Sequence, residues 1–93
     1  MADQSEVTHE KNASRFAMTV YGHLSIAEYE LREGVMTMTH TLVPAELRGK
    51  GIAELLVRAA LAEARASNYK VVPACSYVAK FMARHSEFAD LLA

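Results

Sequence analysis

The chain has 93 residues, 52% of them hydrophobic, and balances 10 Lys and Arg against 11 Asp and Glu for a formal net charge of −1. That length suits a single domain, small enough that folding buries only about 60–65% of the unfolded chain's surface. Four Gly and two Pro exclude a fibrous or low-complexity chain, and the near-zero charge argues against a broad footprint for nucleic acid or anionic lipid.

Any anion site must therefore be local. A single cysteine precludes an internal disulfide and points to a reducing, cytoplasmic compartment. No apolar run approaches the roughly 18 residues of a membrane span, and the polar opening MADQSEVTHEKN does not read as a signal peptide. The expectation is one cytoplasmic domain over residues 1–93 with its first six residues disordered. No domain boundary, repeat or metal-ligand spacing is expected, with His9, His23 and His85 scattered.

A short strand is expected near Val7. From Arg15 to Val20, Phe16, Met18 and Val20 alternate with Ala17 and Thr19, the period of a strand. His23 to Leu31 repeats the alternation, and Tyr21-Gly22 and Glu33-Gly34 read as the turns on either side. Val35 to Val43 (VMTMTHTLV) makes a long third strand that Pro44 stops. Tight connections imply an antiparallel meander. From Gly51 the pattern turns helical, with Ile52, Leu55, Leu56, Ala59, Ala62 or Glu63, and Ala66 at three-to-four spacing, and Asn68 suits a left-handed stop. Lys70 to Pro73 is a short strand; Ser76 opens a helix over Tyr77–Arg84, and Ser86 another to Leu92. A helix between two strands implies a crossover, so the last strand should run parallel to the third.

The stretch 47-LRGKGIAELLV-57 sets two glycines and two cations at the mouth of that helix. A helix begins with unpaired N–H groups and a partial positive charge that favour phosphate. Glycines let backbone approach such a ligand closely, and Arg48 and Lys50 add charge. On these features alone the glycines serve equally well as a plain turn between solvated cations. Neither the P-loop nor G-x-G-x-x-G is present.

Arg48-Gly49-Lys50-Gly51-Ile52-Ala53 matches R/Q-x-x-G-x-G/A, and the chain resembles the GNAT superfamily of acetyl-CoA-dependent N-acetyltransferases. The run HTLVPAELRGKGIAELLV, with KVVPACSYV and ARHSEF after it, is similar to the small single-domain members across about residues 7–92. The resemblance implies an α+β, GNAT-like fold whose third and last strands splay apart. It implies that Leu42 and Val43 offer backbone to pantetheine, while Arg48, Gly49, Lys50, Gly51, Ile52 and Ala53 hold the diphosphate of acetyl-CoA or coenzyme A.

His40 is expected on a strand face with Met36, Met38 and Leu42, as a hydrogen-bonded core residue or as a general base tuned near neutrality. Cys75 is a small buried hydrophobe or, ahead of a capped helix, a thiol drawn toward thiolate. The resemblance places both at the active site, with Cys75–His40 a candidate nucleophile–base pair and Cys75 alternatively an acid; direct attack by the acceptor and transfer through an acetyl-Cys75 intermediate are both open routes. Two departures stand out. Met82 occupies the place where larger relatives carry a tyrosine acid, for which Tyr77 is a weak substitute. No helices follow the first strand, so the acceptor side is either open to a protein, peptide or small amine, or completed by a second copy as a homodimer. The functional expectation is acetyl transfer to an amine; the alternative is a non-catalytic CoA-binding module acting as a sensor or interaction partner.

Overall fold

Two pairs of left-handed residues shape the front half of the molecule. Tyr21 (φ 51°) and Gly22 (φ 78°) join β2 (Arg15–Val20) to β3 (His23–Arg32), and Glu33 (φ 51°) and Gly34 (φ 79°) join β3 to β4 (Val35–Leu42). Two central residues at positive φ give the hairpin turn whose twist matches that of the strands it connects. In the computed structural model, which describes residues 6–93, β1 (Thr8–Glu10) precedes this meander. The disorder expected of residues 1–6 falls, except for Glu6, outside the described residues.

After β4 come a single 3-10 turn (Ala45–Leu47), α1 (Ile52–Ala66), β5 (Lys70–Pro73), α2 (Ser76–Arg84) and a closing 3-10 segment, Ser86–Leu91, where a last helix was expected. The five strands form one sheet in the order β1-β2-β3-β4-β5. The first four are antiparallel, and β4 and β5 are parallel from Val35–Lys70 to Met38–Pro73, as the crossover helix requires.

Helix α1 packs across the sheet on the side chains of Phe16, Met18, Ala27, Tyr29, Met36 and Met38, all buried. Its own buried stripe is Ile52, Leu56, Val57, Ala60, Leu61 and Ala64. Leu55, expected inward, is 47% exposed. Nearly every position from Ile52 to Ala62 is apolar or small, so several stripes fit the period, and the sheet selects among them. Asn68 takes the left-handed conformation (φ 60°) just after the helix ends. The C-terminal segment is tied across the edge of β5. Arg65 of α1 donates twice to the Asp90 carboxylate, at 2.8 and 3.1 Å, and the Ala93 N–H donates to the Val71 carbonyl at 3.0 Å.

One irregularity governs the site. Between Glu28–His40 and Tyr29–Met38 the pairing of β3 with β4 skips a residue, leaving Thr39 as an extra residue in β4. Its hydroxyl donates to the Glu28 carbonyl at 3.3 Å. Side chains on either side of the bulge then fall on different faces from those that strict alternation gives. Thr41 stands opposite Ala27, on the face covered by α1, whereas His40 and Leu42 stand opposite Glu28 and Ile26 on the uncovered face.

Candidate functional site

Strands β4 and β5 stay paired only as far as Met38–Pro73. The last main-chain tie between them is the Cys75 N–H, which donates to the Met38 carbonyl at 2.9 Å. Past that point β5 has ended, and the chain turns into α2 with Cys75 at the N-cap (φ −79°, ψ 134°). Residues 39–42 of β4 continue alone on that edge. The result is a fork, bounded on one arm by β4 and on the other by the start of α2.

Cys75 lies in the crotch of the fork, half-buried. Its Sγ is 3.6 Å from Thr41 Oγ1 and close to the backbone N–H groups of Val78 and Tyr77 in the first turn of α2, without closing a full cap. Burial alone pushes the thiol's pKa up. The N–H of Val78, the Thr41 hydroxyl, and the N–H groups of Tyr77 and Thr41 together outweigh it, so the net displacement is downward. Because the Thr41 N–H faces the thiol, alternation turns the main chain of Val43 to the same open edge and that of Leu42 toward β3. The Val43 carbonyl accepts from Arg48 Nε at 3.2 Å.

The fork does not bring His40 to Cys75. The bulge sets His40 on the uncovered face, where its side chain is 70% exposed and its Nδ1 lies 3.5 Å from Glu28 Oε1. The shared face expected for His40, Met36 and Met38 is thus replaced by one shared with Glu28 and Leu42, the last with its side chain well exposed. The partner of the thiol is Thr41, which sequence reasoning missed.

Beyond Val43 the fork opens onto a cavity of about 250 Å³ lined by Val43, Leu47, Arg48, Gly49, Gly51, Ile52, Ala53, Glu54 and Tyr77. Six of the eight residues expected to bind cofactor are therefore gathered here; Leu42 and Lys50 are not in the wall. Gly51 is the N-cap of α1 at φ 79° and ψ 13°, and no side chain caps the helix. The first N–H groups of α1 are accordingly without an intrahelical partner. Gly49 (φ 83°) and Gly51 have nothing within 4 Å of the place a Cβ would take, so backbone is open to close approach at both. Tyr77 is 39% exposed, and its phenol pKa is raised by burial and by the nearby Glu54 carboxylate. It is a neutral hydroxyl in the cavity wall.

A β-α-β unit whose parallel strands part beside a glycine-led helix defines an α+β protein with a fork open to an elongated ligand. The chain belongs to the GCN5-related N-acetyl-transferase family, which it matches over residues 15–91. Its fold is similar to the NMR solution structure of a protein from Staphylococcus aureus described, provisionally, as a GCN5-like N-acetyltransferase. The TM-score is 0.76 at 22% sequence identity, over 95% of this chain and 87% of that one. That likeness bears on the fold, and the splayed α+β architecture expected from the sequence is the one observed.

Proposed function

We propose that this protein transfers an acetyl group from acetyl-CoA to an amine acceptor. The observation that carries the reading is the fork itself. It is continuous with a cavity that has apolar walls at Val43, Leu47 and Ile52, and at its far end lie the uncapped N-terminus of α1 and two unobstructed glycines. These features fit an elongated ligand with a diphosphate. The N–H groups of Ile52 and Ala53 would hold phosphate oxygens, with the Arg48 guanidinium beside them. The Thr41 carbonyl and the Val43 N–H, on the same open edge, would pair with the ligand's amides in the manner of an added strand. When bound, acetyl-CoA supplies an activated thioester.

The chain's own groups divide the remaining work. Cys75, drawn toward thiolate by Thr41 and by the first turn of α2, is suited to act as a nucleophile rather than to protonate a leaving group. His40, exposed beside Glu28, is available to take a proton from an ammonium acceptor approaching across the uncovered face. The breadth of that face, with no helix over it, suits an acceptor presented by a protein or peptide.

The test is stabilisation and turnover measured together. Acetyl-CoA at about 100 times its dissociation constant should add about 2.7 kcal/mol to unfolding, and free thiol should appear when an amine is supplied. Absence of stabilisation by either acetyl-CoA or CoA overturns the reading. A second reading, binding without transfer, draws on the separation of His40 from Cys75 by the bulge. It predicts stabilisation by both forms with no thiol release. It also predicts no hydroxylamine-sensitive adduct of the kind that acetyl-CoA should leave on wild type and not on Cys75→Ala.

A further inference from the structure

We propose that Thr41 is the positioning residue of Cys75, holding its thiol and thiolate in one place at the fork, and that His40 has no part in activating it. Three observations carry this. The extra residue at Thr39 puts the Thr41 side chain on the face where Cys75 sits and removes His40 from it. Sγ and Oγ1 are 3.6 Å apart across two elements that have otherwise separated. And the Thr41 main-chain N–H faces the same sulfur, adding to the downward displacement of its pKa.

A hydroxyl suits the task because it both donates and accepts. It takes the S–H as an acceptor and rotates to donate once the proton has left. The other neighbours offer no substitute. From α2 come only the N–H groups of Val78 and Tyr77, and the Tyr77 phenol is neutral, its pKa raised by burial and by Glu54. From β4, His40 faces away and pairs with Glu28. Among the described residues, no charged side chain contributes to the displacement of the Cys75 pKa. The downward displacement here rests on dipoles rather than on an ion pair, and Thr41 is the side chain among them.

The assignment rests on the acetyl-transfer reading only for its purpose. Alkylation of Cys75 by iodoacetamide needs no acetyl-CoA, so a failure of either idea is seen separately. Cys75 is the single cysteine of the chain, which makes labelling followed by intact mass specific to it. The rate is measured from pH 5 to 10 on wild type, Thr41→Val, Thr41→Ser and His40→Ala. The midpoint of the profile is read rather than one rate, because a thiolate of higher pKa is also more nucleophilic. Thr41→Val should move the midpoint up by about half to one pH unit, the loss of one partly exposed hydrogen bond to a charged group. Thr41→Ser should restore most of it, and His40→Ala should leave the midpoint in place. A Thr41→Val profile coincident with wild type overturns the proposal. So does a His40→Ala shift as large as that of Thr41→Val. Should Thr41→Val fail to melt cooperatively, Thr41→Ala carries the same comparison.

Discussion

Replacing Gly51 with alanine separates what the glycine loop does for the fold from what it does for a ligand. Gly51 holds φ 79° and ψ 13°, just beyond the small left-handed region open to L residues. Alanine there costs about 1–2 kcal/mol in backbone strain, offset by about 0.4–1 kcal/mol from the stiffer unfolded chain. No clash adds to this, since nothing lies within 4 Å of the new Cβ. The net loss should be about 1 kcal/mol, a fall in Tm of roughly 4–8 °C for a domain of this size. Gly22, at φ 78° with the same open surroundings but in the β2–β3 turn, is the matched control and should lose as much. The two part on adding ligand, because only Gly51 lines the cavity. If the new methyl weakens acetyl-CoA tenfold, then ligand at about 100 times the wild-type Kd should stabilise wild type and Gly22→Ala by about 2.7 kcal/mol. Gly51→Ala should gain only about 1.4 kcal/mol. Scanning fluorimetry of the three proteins with and without ligand measures all five quantities. Equal ligand stabilisation of the two variants would refute the placement of the diphosphate.

Other expectations concern the frame around the site. Leu61→Ala empties a fully buried position of α1 and should cost about 2–5 kcal/mol by urea unfolding. Ser25 Oγ is buried with no hydrogen-bond partner among the described residues, so Ser25→Ala should be neutral or stabilising by up to about 1 kcal/mol in the same experiment; a clear loss would reveal a partner for the hydroxyl. The Arg65 guanidinium holds the Asp90 carboxyl below the usual carboxylate range. A depressed folded pKa gives stability that is present above the unfolded value and lost as pH falls through the folded one. Tm should therefore decline below about pH 4, less steeply in Arg65→Ala. Burial lowers the pKa of His9, whose Nε2 lies 2.6 Å from the Tyr29 hydroxyl. The same sign applies, and the contribution of His9 should fade as pH drops below about 6.5. A flat Tm between pH 7 and 5.5 that His9→Gln leaves unaltered would contradict it.

Where chain direction is set by local chemistry, the sequence carried the answer. Tyr21-Gly22, Glu33-Gly34 and Asn68 announce their left-handed turns, and Pro44 ends β4 within two residues of the observed stop. The parallel pairing of β4 with β5 followed from the helix between them. The glycines of the α1 entry likewise marked the cavity. What could not be read was the bulge. In Thr37-Met38-Thr39-His40-Thr41-Leu42, threonines alternate with larger residues whether or not one residue is skipped, so the period carries no trace of it. That single insertion moved His40 and Leu42 to the uncovered face and brought Thr41 to Cys75. Tyr77 reached the cavity wall for a related reason. The pitch of α2 relative to α1 decides which of its residues meets Glu54, and such packing leaves no local signature.

The most direct test of the account is an amide chemical-shift titration of the labelled protein with acetyl-CoA. The fork and the glycine loop predict saturable shifts at Thr41, Val43 and Cys75 and from Arg48 to Ala53, with the β2–β3 turn unmoved. Shifts confined to the uncovered face of the sheet, or none at saturating ligand, would contradict it.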